Sequence, residues 1–157
     1  MNYWLFKTEP ETFSLEDLKN SPNQTACWDG VRNYQARNFL RDEVQAGDRV
    51  LFYHSVKNPG IVGLVRVVKA GYPDHTAWDV NSRYYDPNST PDRPIWYMVD
   101  VQFEQELPRP LLLKFLRTVP QLHDMFLLRK GMRLSVQPVT QEEFKTILEY
   151  AANVTSP

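Results

Sequence analysis

Apolar residues along this chain come mostly in short runs of strand length, and helical spacing is confined to brief segments between them. Tyr3 to Lys7 (YWLFK) is an unbroken apolar run stopped by Glu9-Pro10, and because the residue before a proline avoids the helical region, the pattern predicts a buried first strand. Ser14 followed by Asp17 has the form of a capping box for a short helix through Leu18, ended by the turn cluster Asn20-Ser21-Pro22-Asn23. From Val31 to Arg41 the spacing of Ala36, Phe39 and Leu40 predicts a helix with one buried face, displaying Tyr34, Arg37 and Arg41 on the other. Asp48 to Ser55 and Ile61 to Lys69 are β-branched and aromatic runs on either side of Lys57-Asn58-Pro59-Gly60, so they should pair antiparallel. Gly63 inside the second run marks a bulge or a close backbone approach.

Between Gly71 and Pro94, four prolines among Asp, Asn, Ser and Tyr leave room for no comfortable regular element, and a long ordered loop in a compact domain is often functional. Ile95 to Leu107 then sets Tyr97, Val99, Val101 and Phe103 against Trp96, Met98, Asp100 and Gln102, which is the period of a strand. Pro110 reads as the first residue of a helix carrying Leu112, Phe115 and Leu116 up to Pro120, with a second short helix near Leu122 to Leu128. Leu134-Ser135-Val136 reads as a last short strand, and Thr140 with Glu143 caps a terminal helix bearing Phe144, Ile147, Leu148 and Ala151. About five strands with helices inserted between them predict one α+β domain over 1–157, built on a curved, closed, antiparallel-rich sheet.

Composition narrows the function. The 157 residues carry a formal charge of −1, so the molecule cannot grip a polyanion through net charge, and any such site must be a local patch. Lys114, Arg117, Arg129, Lys130 and Arg133 form one basic stretch that could serve. The single cysteine, Cys27, excludes an internal disulfide; His54, His75 and His123 lack metal-ligand spacing; and the glycines form no phosphate-cradling pattern, so no metal or cofactor is expected. No run nears the roughly 20 apolar residues of a membrane helix, and the cytoplasm, or the nucleus of a eukaryotic cell, is the expected location. Thirteen per cent aromatics beside three histidines suits a binder better than a hydrolase.

Each candidate residue has a plain structural role beside the functional one. Trp28 could offer a stacking platform or plug the core. Asn33 could read a base edge or cap the following helix at Ala36. Arg37 and Arg41, a helical turn apart beside Tyr34, could hold successive phosphates or lie solvated. Tyr53-His54-Ser55 ends one strand, and Lys7-Thr8-Glu9 ends another with groups suited to amide hydrolysis or to simple exposure. Trp78, Tyr84 and Tyr85 could form a lid or pin the long loop.

The ordered blocks YWLFKTEP, CWDGVRNYQARNFLR, VLFYHS, PGIVGLVRVVKAGYPDHTAWD, YYDP, WYMVDVQF and LSVQPVTQEEF resemble the EVE domain, and closely the thymocyte nuclear protein family, from Tyr3 to about Leu148. The resemblance implies a PUA-like fold, a small β-barrel of five to six strands with surrounding helices, related to the YTH domains that read methylated adenine in RNA. It also implies a non-enzymatic, monomeric module without a cofactor. Its partner would be nucleic acid carrying a modified base, either modified cytosine in DNA or a modified base in RNA, held in an aromatic pocket. By position, Trp28 corresponds to an aromatic wall, Lys7 and Thr8 to the pocket strand, Asn33 and Tyr34 to the block beside it, and Tyr53, His54 and Ser55 to the strand end facing it. Trp78 and Trp96 are candidates for a further wall, and Arg32, Arg37 and Arg41 for contacts to the nucleic-acid backbone. An open Trp28 platform predicts that Trp28→Ala cuts binding by about tenfold or more with thermal stability nearly unchanged. Two other readings are an amidohydrolase of acylated nucleosides using Lys7, Thr8 and Glu9, and a protein-interaction domain.

Overall fold

The computed structural model describes residues 1–153. Its elements are β1 (Tyr3–Thr8), α1 (Leu15–Lys19), β2 (Thr25–Cys27), α2 (Tyr34–Asn38), β3 (Arg49–His54), β4 (Gly60–Pro73), β5 (Tyr97–Leu112), α3 (Leu113–Leu116), β6 (Val136–Val139) and α4 (Gln141–Asn153), joined by short 3₁₀ turns. The strands form one sheet in the order β2-β5-β4-β3-β1-β6. β1 runs parallel to β3, with Tyr3 opposite Arg49 and Thr8 opposite His54, and every other pairing is antiparallel.

The architecture is α+β, as the pattern predicts, but the hydrogen-bonded ladder is open where closure was expected: β2 and β6 are its two ends. These end strands span only three and four residues, and β6 contains Pro138, which has no N–H to give to a further strand. Both faces of the central strands are buried, which explains why β1 and β3 read as continuous apolar runs rather than alternating ones. Trp4, Phe6, Val50 and Phe52 point into one core with Leu15, Leu18, Trp28 and Leu40. Leu5, Leu51 and Tyr53 point into the other, where Leu116, Leu122, Phe144 and Ile147 cover them.

Several boundaries move for identifiable reasons. The helix expected from Val31 starts at Tyr34, because the Asn33 side chain accepts the Ala36 N–H at 3.0 Å and ends the extended segment there. Beyond Asn38 the chain widens into one π turn over Phe39–Glu43. Gly63 does sit at an irregularity: Phe52 pairs with Gly63 and Tyr53 with Ile61, leaving Val62 as the extra residue. β4 extends to Pro73, and a 3₁₀ turn over His75–Trp78 interrupts the proline-rich loop. Pro110 does not start a helix; it lies in β5, which runs on to Leu112. β2 pairs only with Asp100 to Gln102, so the far end of β5 has a free edge on which Pro108 and Pro110 remove no ladder hydrogen bond. The segment 122–128 holds 3₁₀ turns rather than a helix, and the last strand lies at Val136–Val139, two residues beyond its expected start. β2 itself was not foreseen, since Thr-Ala-Cys has neither length nor apolar contrast. The two capping boxes form as read, Ser14 with Asp17 and Thr140 with Glu143.

Candidate functional site

The C-terminal end of β1, the loop after β2 and the tip of the proline-rich loop enclose a cavity of about 300 Å³, bordered by Lys7, Thr8, Trp28, Asp29, Gly30 and Tyr84 among others. A neighbouring lobe of about 380 Å³ shares Thr8, Thr12, Trp28, Asp29, Arg83 and Tyr84 with it and adds Phe13, Ala26 and Cys27. Each lobe falls in the size range of small-ligand sites, roughly 300–1,000 Å³.

The local chain geometry follows from a few contacts. The Trp28 N–H donates to the Val99 carbonyl at 2.7 Å, carrying the β2 ladder one residue further and fixing the indole. Its ring packs against Phe6 and Phe52 at centroid distances of 5.3 and 5.5 Å and meets Phe13 edge-on. Only 6% of Trp28 is exposed. The indole is therefore a core residue that gives one border to the cavity, and an open platform removable without cost to stability is ruled out. Two residues on, Gly30 turns at φ +80, and a Cβ there would stand 2.6 to 2.8 Å from the Tyr84 ring. Glycine is required twice over, for the backbone conformation and for the close approach of that ring.

A buried polar knot holds Tyr84 in place. Asp74 is fully buried and accepts from the Gly30 N–H at 2.9 Å, from Arg32 at 3.0 Å and from Thr76. Arg32 also donates to the Tyr84 carbonyl through Nε and Nη2 at 3.1 and 2.7 Å and to the Val31 carbonyl at 3.0 Å. Burial alone would raise the Asp74 pKa, but the hydrogen bonds from Thr76 and Gly30 and the Arg32 cation hold it below its ordinary value. The Trp96 indole N–H donates to Asp86 at 2.7 Å and fastens the other end of the loop. A long, proline-rich segment thus delivers a tyrosine to the cavity with little freedom.

Around the cavity the titratable groups are displaced. Asp29 is raised, chiefly by burial and then by the Asp74 charge. Burial lowers the Lys7 ammonium. The Cys27 thiol is raised by burial and by the Asp29 and Asp100 charges, which makes it a poor nucleophile.

Of the residues singled out from sequence, Lys7, Thr8, Trp28 and Arg32 line the cavity. Tyr53 does not: it is 3% exposed and packs in the second core, with the Lys7 ammonium 5.7 Å from its ring centre. His54 accepts the Leu15 N–H through Nε2 at 3.1 Å, closing the start of α1, and burial lowers its pKa, which keeps that lone pair available. The Ser55 N–H donates to the Thr8 carbonyl. Asn33 is the α2 cap. Tyr34 is 59% exposed and stacks on Trp96 at 4.9 Å, with Arg37 over its outer face at 5.0 Å and Arg32 beside Trp96 at 5.5 Å. Trp78 is half-buried in its 3₁₀ turn, and neither it nor Trp96 borders the cavity. Arg37 donates to the Ile95 carbonyl at 2.8 Å, and Arg41 pairs with Asp42 at 2.7 Å. The second aromatic border is Tyr84, which sequence reading left as a pin or lid; Asp29, Arg83, Thr12 and Ser135 join it. No local pattern in the sequence marks Tyr84, whose place is set by its approach to Gly30 and the Arg32 hydrogen bond to its carbonyl.

Fold and cavity together define an α+β PUA-like domain with an aromatic-bordered small-ligand site. The chain belongs to the EVE domain family, whose model matches residues 2–150. Mouse thymocyte nuclear protein 1 is 52% identical over 164 residues, covering 94% of this chain and 72% of the relative. Among solved structures, a hypothetical protein from Leishmania major superposes with a TM-score of 0.93 at 44% identity, over 99% of this chain and 97% of its own. Human THYN1, solved in complex with DNA containing 5-methylcytosine, superposes with a TM-score of 0.90 at 47% identity, over 96% and 98% of the two chains.

Proposed function

We propose that this domain binds a single modified nucleobase in the cavity bordered by Trp28 and Tyr84, with 5-methylcytosine in DNA as its first ligand, and that it acts by recognition rather than catalysis. The observation that carries the reading is one cavity with an indole and a phenol on its border and Lys7, Thr8 and Asp29 between them, in a chain 47% identical to the human protein solved with methylated DNA. Aromatic stacking supplies affinity of about 1–3 kcal/mol per base. Asp29 supplies selectivity for the edge: a carboxylate accepts from the cytosine amino group, and the raised pKa favours a proton that the carboxyl shares with the ring nitrogen beside it. The methyl group adds about 0.8 kcal/mol on burial, near fourfold in affinity. Extracting a base from a duplex costs a few kcal/mol, so single-stranded or mismatched sites bind more tightly. The EVE domain works as a monomer inside the cell, in the nucleus of a eukaryote, in keeping with the name of the mouse relative.

Titrating cytosine and 5-methylcytosine oligonucleotides while following tryptophan fluorescence tests this. A methyl preference of a few fold is expected, with Tyr84→Ala abolishing it; equal affinity for the two bases refutes it. One observation favours a second reading: Lys7, Thr8 and Glu9 all line the cavity, and burial lowers the Lys7 ammonium toward the range of a general base. Hydrolysis of an acylated nucleoside predicts acetate release from acetylated cytidine, lost in Lys7→Ala, and none is expected from a reader.

A further inference from the structure

Lys7 also borders a second, larger cavity of about 500 Å³, lined by Arg117, Arg129, Lys130 and Arg133 among others. Five cations thus meet in one concave surface, and no carboxylate lines it. Among the described residues none of the five is in an ion pair, whereas Arg32 is paired with Asp74 and Arg41 with Asp42. Arg117 and Arg129 spend single N–H groups on the carbonyls of Leu128 and Asp124, which orients the side chains and leaves their charge uncompensated. A cleft of one sign focuses the field and concentrates counter-ions, here on a molecule whose net charge is −1.

The groove and the aromatic cavity meet at one residue. Lys7 lines both, and its N–H donates to the carbonyl of Ser135 at 2.8 Å, so the segment from Arg129 to Ser135 walls the groove on one side and the cavity on the other. We propose that this groove is the phosphodiester track of the bound strand: the phosphates flanking the captured base cross Lys7 and lie against Arg117, Arg129, Lys130 and Arg133. This inference rests on the base-capture reading for the direction of the strand, and it moves the backbone contacts from the α2 face to the segment before β6. Burial lowers the Lys7 pKa, and a phosphate at the junction would favour its charged form.

The test compares the intact chain with Arg129→Gln, Lys130→Gln, Arg133→Gln and their combination, measuring binding of a 5-methylcytosine single-stranded oligonucleotide against salt. Arg66→Gln serves as the control, because Arg66 pairs with Arg49 and Tyr3 pairs with Arg49 from the other side, at the end of the strands away from Lys7. All three groove positions are exposed, so unchanged melting temperatures are expected. Each cation removed should lower the slope of log affinity against log salt by about 0.7, and the triple substitution by about 2, while Arg66→Gln leaves it unchanged. Binding of the 5-methylcytosine nucleoside alone, which has no phosphate, should not change. Retained slopes in the triple variant overturn the groove. If the slopes fall but the intact chain shows no methyl preference, base capture fails and the phosphate track stands.

Discussion

Removing one aromatic border or the other separates a ring that builds the fold from a ring that serves the ligand. Trp28→Ala deletes a side chain 6% exposed and packed on Phe6, Phe13 and Phe52. Large-to-small changes of a buried aromatic cost about 3–5 kcal/mol, because the transfer free energy and the contacts around the vacated volume are both lost. For a domain of this size that lowers Tm by about 6–20 °C. Tyr84→Ala deletes a half-buried ring that faces the Arg32 and Arg83 guanidiniums at 5.6 Å. Its cost is about 1 kcal/mol, a shift of about 2–4 °C. For binding the order reverses in selectivity: Tyr84→Ala loses one stacking face, about 1–3 kcal/mol or roughly 5- to 150-fold in Kd, in a protein that still folds normally. Differential scanning calorimetry and fluorescence anisotropy with a labelled methylated oligonucleotide read the two effects separately. If Trp28→Ala melts within a degree or two of the parent, the core assignment is wrong. If Tyr84→Ala binds the methylated strand as the parent does, the cavity is not the base site.

Three further outcomes follow from the polar knot and the loop it holds. Asp74→Asn breaks the buried pair with Arg32, and since Arg32 keeps 22% of its side chain exposed, the loss should lie at the lower end of about 3–5 kcal/mol, measured by urea unfolding, with weaker binding as Tyr84 loses its anchor. The same carboxylate sets an acid limb: its folded pKa lies below 3.8, so the unfolded chain takes up the proton first, and the stability it contributes is complete above that value and lost as pH falls through the folded one. Asp29 acts in the opposite sense, its raised pKa meaning that acid relieves a penalty, so melting curves between pH 3 and 6, repeated on Asp74→Asn and Asp29→Asn, should flatten for the first and steepen for the second. Gly30→Ala combines left-handed strain of about 1–3 kcal/mol with a collision at Tyr84, whereas Gly47→Ala at φ +95 meets nothing within 4 Å; both should lose stability, and only Gly30→Ala should lose ligand affinity.

The elements that periodicity and capping could show were readable because their causes are local. β1 and β3 hold continuous apolar runs, the first half of β4 is β-branched and buried, and the two capping boxes are four-residue signals. Pro110 misled because a proline is equally at home at a helix start and on a free strand edge, and only the short reach of β2 decides between them. Lys7 could be nominated from sequence because it ends a readable strand, and Trp28 because it is an aromatic on the segment before a helix, although the short β2 that precedes it was not legible. Tyr84 could not be separated from Tyr85 or Trp78, because its place depends on Arg32 bridging Asp74 and the Tyr84 carbonyl across more than forty residues.

The arginines carry the more general point. Helical spacing brought Arg37 and Arg41 to one face, and the face looked free to meet phosphate; spacing, however, says where a cation starts and not what neutralises it. A guanidinium with five N–H groups is satisfied by carbonyls and carboxylates inside its own chain as readily as by a ligand. Arg32, Arg37 and Arg41 each find such a partner, at Asp74, the Ile95 carbonyl and Asp42. What sets the groove apart is density: Lys7, Arg117, Arg129, Lys130 and Arg133 line one concave surface with no carboxylate among its lining residues. In a chain of near-zero net charge the local absence of carboxylates, rather than the presence of arginines, is what marks where a polyanion can lie.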